Sequence, residues 1–298
     1  MKLSEATFAV IRKLLHSSKF ESDKLKTINM LKVLARIYDK LYLVSKPKGL
    51  CLIETNEFKL YIDSNDEGLA PFLIKWGEYE KNEIRVFKRI VKDGMTVIDV
   101  GANVGYYTLL ASKLVGLKGR VYSFEPDPYN FTLLKKNVEI NKCENVYIFN
   151  MAVSEKTGIV KLYRDSKNYG AHSLIKHVVK NPRDYISVGA VSLDDFFKGF
   201  ESPIDVIKID VQGSEGKVLR GMERIIRANK NLKMHIEFWP WALEKAGEPP
   251  KDFLITIRNY GFNIFLIDSS IIKLTDFENI LRKRNNSHVN ILCIKSTG

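Results

Sequence analysis

The 298-residue chain is poor in cysteine and has no long apolar run. Cys51, Cys143 and Cys293 are odd in number and scattered, with neither CxxC spacing nor a companion histidine cluster. That argues against a disulfide framework or a zinc site and leaves buried or incidental thiols. No stretch approaches the roughly 18 uninterrupted apolar residues needed to cross a bilayer. Arg12 and Lys13 break the apolar segment Phe8-Ala-Val-Ile-Arg-Lys-Leu-Leu15, so it does not read as a secretory leader. A cytoplasmic location is the expectation. Internal repeats and low-complexity tracts are missing as well. What remains, 45% hydrophobic and 28% charged residues, is the composition of a folded soluble chain long enough for one large domain with an extension.

Acidic residues are the scarcer charge, giving a formal net of +12. The excess is concentrated: residues 1–50 hold 11 Lys and Arg against 4 Asp and Glu. Such a segment suits peripheral contact with an anionic surface, nucleic acid or a charged glycan, or simply forms a solvated helical face. Aromatics are not interleaved with the charges as base-stacking platforms would be.

Helical spacing of Phe8, Ile11, Leu14 and Leu15, then of Ile28, Leu31, Leu34 and Tyr38, predicts helices over residues 1–45. Leu50-Cys-Leu-Ile53 and Phe58-Lys-Leu-Tyr-Ile62 predict a hairpin across Asn56-Glu57. Trp76 opens a predicted helix running to about Val91. Strand-like runs then fall at 96–100, 120–125, 145–150, 204–210, 232–238, 262–267 and 290–295. They alternate with helix-like segments at 105–115, 128–141, 214–229 and 250–260. The alternation predicts an α/β, Rossmann-like, doubly wound and mainly parallel sheet of seven strands, with the ligand crevice at the strands' carboxyl ends. Residues 1–70 read as a helical extension plus the hairpin, and 71–298 as the cofactor-binding domain. Within the latter, 157–200 reads as an irregular insertion walling a substrate pocket.

Two strand ends carry the strongest chemical signal. Thr96-Val-Ile-Asp-Val-Gly-Ala-Asn-Val-Gly-Tyr-Tyr107 is an apolar strand ending in Asp99 and a glycine turn. Arg120-Val-Tyr-Ser-Phe-Glu-Pro-Asp127 is a second strand ending in Glu125. Gly101 and Gly105 permit close backbone approach, Asn103 tolerates a turn conformation, and Glu125 can accept from two ribose hydroxyls. From Gly101, the dinucleotide pattern G-x-G-x-x-G needs glycines where Asn103 and Tyr106 stand. The spacing of Asp99, Gly101 and Gly105 instead resembles the first motif of class I S-adenosylmethionine-dependent methyltransferases. Pro126 turns the chain after Glu125, and Met151 and Ala152, at the end of the next strand, are candidate adenine contacts.

Further blocks make the resemblance more specific. Trp76-Gly-Glu-Tyr-Glu80, Phe124-Glu-Pro-Asp127, Asn137-Val-Glu-Ile-Asn141, Ile207-Lys-Ile-Asp-Val-Gln-Gly-Ser-Glu215 and Val218-Leu-Arg-Gly221 resemble the FkbM family of methyltransferases. The likeness runs from roughly Trp76 to Trp239. Gln212 and Ser214 depart from the family's usual glutamate and alanine. Membership implies S-adenosyl-L-methionine as cofactor and a hydroxyl acceptor on a sugar, glycan, glycolipid or other small molecule. It also implies that Glu80 reaches the cofactor's methionine portion.

Asp210 should reach the same rim as Asp99 and Glu125, as a general base or as a ligand to cofactor or metal. Glu215 and Glu237 complete a possible oxygen site for Mg2+ with it. Glu215 equally suits a helix terminus favoured by the dipole. His172 and Glu237 are further catalytic candidates. Two alternatives stand beside this reading. One is RNA 2′-hydroxyl methylation through the basic N-terminal region; the other is a scaffold that binds the cofactor without turnover.

Overall fold

The computed structural model describes residues 42, 46–77, 79–281 and 288–295. The helices expected over 1–45 lie outside the described residues, Tyr42 apart. The strands are β1 (Leu50–Glu54), β2 (Lys59–Asp63), β3 (Thr96–Val100), β4 (Arg120–Phe124), β5 (Val146–Phe149), β6 (Ala152–Val153), β7 (Gly158–Asp165), β8 (Pro182–Val191), β9 (Val206–Ile209), β10 (Lys233–Phe238), β11 (Phe262–Ile267), β12 (Ile271–Lys273) and β13 (Val289–Lys295). The helices are α1 (Ala70–Trp76), α2 (Lys81–Ile90), α3 (Tyr106–Val115), α4 (Pro128–Ile140), α5 (Leu193–Phe196), α6 (Glu215–Arg220), α7 (Glu223–Ala228), α8 (Pro240–Lys245), α9 (Pro250–Asn259) and α10 (Glu278–Leu281).

The main sheet runs β12-β11-β13-β10-β9-β3-β4-β5. It therefore has eight strands where seven were expected, because the short β12 adds an edge beyond β11. It is also mixed. Pairings from β10 through β5 are parallel, whereas β13 runs antiparallel between β10 and β11. All of β3 and β9 is buried, as befits strands covered on both faces. From β3 the chain proceeds to β4 on one side and later returns to β9 on the other. The carboxyl ends of β3 and β9 consequently flank the switch point where such sheets bind ligands.

Other boundaries moved for local reasons. Trp76 closes α1 rather than opening a helix; Gly77, at φ 64°, caps it and a turn precedes α2. The expected helix over 214–229 is broken into α6 and α7 at Gly221, whose added Cβ would strike the Ser154 carbonyl. The expected helix over 128–141 forms as α4, burying Asn130, Leu133, Leu134 and Asn137. Residues 157–200 are more regular than expected. β7 and β8 form a long antiparallel pair, joined by β6 into a three-stranded sheet.

The β1–β2 hairpin shares a core with the main sheet: Phe58, Leu60 and Ile62 pack in one cluster with Phe87, Val97 and Leu110. On the opposite sheet face Ile98, Val100, Phe124, Ile207 and Ile209 join the other large cluster. Among the described residues, no helix is long and apolar enough to cross a membrane.

Candidate active site

The turn after β3 is shaped by its backbone. Gly101 sits at φ +80°, and a side chain there would collide with the Asp210 carbonyl, so β3 and β9 come together at a spacing only glycine allows. The N–H groups of Gly101 and Ala102 both donate to the Phe124 carbonyl at 3.0 Å, fastening the turn to β4. Asn103 adopts φ 52° and Gly105 φ 95°, the latter opening α3.

Glu125 is 5% exposed at the end of β4. Its Oε2 accepts from the Asn103 N–H at 2.8 Å and its Oε1 from the Asp127 N–H at 2.8 Å. Each oxygen keeps further acceptor capacity for a ligand hydroxyl. Burial pushes the carboxyl up to about 8, against those two backbone hydrogen bonds.

Glu125 lines a cleft with Gly101, Asn103, Pro126, Ala152 and Asp210. Asn130 and His172 line it too. The Asn130 amide donates to the Tyr169 carbonyl at 2.9 Å, while its buried Oδ1 has no partner within the protein. Met151 is absent from the lining and packs against the core instead.

His172 Nδ1 accepts from the Asp165 N–H at 3.0 Å, and its Nε2 lies 3.8 Å from Asp127. Burial lowers its pKa despite that carboxylate.

A second cleft adjoins the first, sharing Asn103, Gly170, Asp210 and Gln212. Its lining adds Glu67, Tyr79, Glu80, Glu237 and His288. Loops 64–69 and 165–171 are tied together beside it: Glu67 N–H donates to the Lys167 carbonyl at 2.7 Å, and Tyr169 N–H to Asp66 at 2.9 Å. Gln212, in a left-handed conformation, donates from Nε2 to Asp210 at 2.8 Å and to Glu237 at 2.6 Å. Where the family usually has an acid, this amide bridges two carboxylates without adding charge. Glu80 accepts from the Tyr107 hydroxyl at 2.7 Å, and burial raises its pKa. Burial, reinforced by Asp210, Glu215 and Glu80, pushes Glu237 well above the usual carboxylate range.

Beneath this cleft lies a buried charge ladder. Asp99 and Lys208 are register partners on β3 and β9, and Lys208 pairs in turn with His235 on β10. The Lys208 ammonium lies 3.3 Å from Asp210 and 3.9 Å from Asp99, and 4.7 Å from the centre of the Tyr107 ring. Burial works against its charge, but Asp210, Asp99 and Glu80 outweigh it and hold the ammonium above its ordinary pKa. Asp210 is pushed up by burial, yet Lys208 and the Gln212 amide prevail and keep it below its usual range. Asp99, raised by burial, accepts from Thr108 at 2.7 Å and lines neither cleft. Its place is to hold the floor.

The structure thus gathers Gly101, Asn103, Glu125, Pro126, Ala152 and Asp210 at one cleft, and Glu80, Asp210 and Glu237 at the next. The expected magnesium triad is not assembled. Glu215 is fully buried, turned back to accept from the Gly213 and Val211 N–H groups, with burial raising it to about 7. No group of three His, Cys, Asp or Glu among the described residues is placed to hold a metal ion. Sequence reasoning missed Lys208, Gln212 and His288 as site residues. A lysine in an otherwise apolar strand was a usable signal for the first; nothing in sequence announced His288, which β13 delivers by running antiparallel.

The groups present fit S-adenosylmethionine: the Gly101 cradle admits close ligand approach, Glu125 offers two acceptors, and the orphaned Asn130 oxygen awaits a donor. Fold and site define an adenosine-cofactor-binding α/β protein. The chain belongs to the FkbM methyltransferase family, because the family profile described as "Methyltransferase FkbM domain" matches residues 99–264, more than half of it. It is 25% identical over 175 residues to hexuronic acid methyltransferase AglP of Haloferax volcanii, covering 58% of this chain and 65% of that one. It is 44% identical over 71 residues to a Sulfurisphaera tokodaii protein named "Probable cobalt-precorrin-6B C(15)-methyltransferase (decarboxylating)", 23% of this chain and 37% of the other. The chain therefore spans less than two thirds of the length of either relative. Among solved structures, methyltransferase FkbM from Methylobacillus flagellatus KT aligns at 16% identity and TM-score 0.42, over 71% of this chain and 50% of that one.

Proposed function

We propose that this methyltransferase uses S-adenosylmethionine to methylate an oxygen of a sugar, glycan or glycolipid. The observation that carries the reading is the pair of adjoining clefts. One offers the glycine turn and Glu125 to an adenosine, and the other gathers Glu80, Asp210 and Glu237 where an acceptor can enter. The similarity to a hexuronic acid methyltransferase supports a sugar acceptor.

When bound, the donor supplies a methyl group already electrophilic on its sulfonium. The protein's tasks are then to align the acceptor oxygen and to receive its proton. Asp210 is held ionised by Lys208 and bridged by Gln212, so it suits a fixed orienting charge better than a base. Glu237 lines the second cleft and accepts from the Gln212 amide, a place from which a carboxylate can assist removal of the acceptor's proton. His172 lines only the first cleft, which favours a part in forming the cofactor pocket over the base role.

The test is labelled-methyl transfer to fractionated glycan, lipid and RNA pools. Label is expected in glycan or glycolipid, and Asp210→Asn should lower transfer more than donor affinity. Label confined to RNA would overturn the acceptor class.

A further inference from the structure

Among the residues of the second cleft, His288 has no assigned role. It stands immediately before β13, whose Val289 and Asn290 pair with Phe238 and Glu237 of β10. This antiparallel register sets the imidazole beside the parallel strands' carboxyl ends. His288 Nε2 lies 3.4 Å from Glu237 Oε1, and the ring meets Trp239 edge-on at 6.4 Å between centres. The Glu237 side chain is 7% exposed but that of His288 is 48% exposed, so the imidazole has one side against a buried carboxylate and the other open to an acceptor. Gln212 occupies the other Glu237 oxygen.

Resting on the reading that an oxygen of a sugar is methylated, we propose that His288, backed by Glu237, takes the proton from an attacking hydroxyl. An imidazole held by a carboxylate on one nitrogen can accept at the other, with the carboxylate fixing its tautomer. The hydroxyl proton passes to Nδ1, and Glu237, accepting from Nε2–H, stabilises the imidazolium that forms. The freed oxygen pair bonds the methyl carbon as the carbon–sulfur bond breaks and its electrons return to sulfur.

The surroundings favour a neutral hydroxyl over a carboxylate as the attacking oxygen. Glu67, Glu80, Asp210 and Glu237 line this cleft, and its described lining includes no lysine or arginine. The groups electrostatically close to the dyad are Lys208 on β9 and Asp210 just after it, Glu80 before α2 and Glu215 at the start of α6.

The test uses the full chain with labelled S-adenosylmethionine and two acceptor probes, methyl β-D-glucoside and methyl β-D-glucuronide. Transfer should give a base-stable ether, and His288→Ala should lower it by roughly 100-fold or more, within the range of general-base effects. Free imidazole should restore part of the lost rate, while donor affinity by calorimetry stays within a few-fold of wild type. Base-labile methyl ester on the glucuronide, formed equally by His288→Ala, would overturn this role while leaving the methyltransferase intact. Loss without imidazole rescue would reduce His288 to a structural part. No transfer to either probe despite donor binding would sink the sugar reading itself, and this inference with it.

Discussion

Glu125 combines a ligand's geometry with an awkward charge. Its carboxyl is buried and raised to about 8, so near neutral pH the free protein mostly holds it protonated. Accepting from two ribose hydroxyls favours the ionised form, so binding must displace that proton. Donor affinity should therefore fall as pH drops below about 8, by up to roughly tenfold per unit, and level off above it. Calorimetric titrations across pH should show this slope reduced in Glu125→Gln; the same slope in both proteins would assign the proton elsewhere. Lys208 makes the opposite case, a buried cation satisfied by Asp210 and Asp99. Lys208→Met should cost about 3–5 kcal/mol by stranding buried carboxylates, read by chemical unfolding. A loss below about 1 kcal/mol would contradict the ladder as drawn. Glu125 was legible because a lone acid after an apolar strand has few other uses. Lys208's second partner, Asp99, was not, because β3 and β9 become neighbours only once the sheet forms.

At the scale of elements, α4 shows how the site is braced. Asn137 on its buried face accepts from Tyr61 N–H at 2.6 Å and donates to the Tyr61 and Val104 carbonyls at 3.0 and 2.8 Å. One side chain thereby joins the hairpin, the glycine loop and the helix. Asn137→Ala would leave the Tyr61 N–H and the Tyr61 and Val104 carbonyls without this partner, and the buried Val104 carbonyl alone should cost about 1–3 kcal/mol. Thermal unfolding should show a clear loss, and an unchanged midpoint would refute the brace. The alternation of strands and helices from Thr96 onward was readable, since runs buried on both faces are continuously apolar. The break at Gly77 was not, because the tryptophan that ends α1 looks equally like a helix start. Nor was the β7–β8 pair. Its exposed Ile159 and Tyr185 blur the period-two pattern that marks a strand.

At the scale of the molecule, the sheet order puts Gly101, Glu125, Asp210 and Glu237 along one rim, although up to 136 residues separate them in sequence. Strand order is what turns scattered acids into neighbours, and only the parallel half was inferable from sequence. The antiparallel β13, which brings His288 to that rim, follows from pairings no local pattern records. On this reading the β3–β4–β9 rim holds S-adenosylmethionine. Calorimetric titration of the full chain and of Glu125→Ala with S-adenosylmethionine, with NAD as control, decides it. One donor should bind per chain, NAD should not bind, and Glu125→Ala should lose about 1–3 kcal/mol of donor affinity, or roughly 5- to 150-fold. Equal donor affinity in both proteins, or none in either, would contradict it.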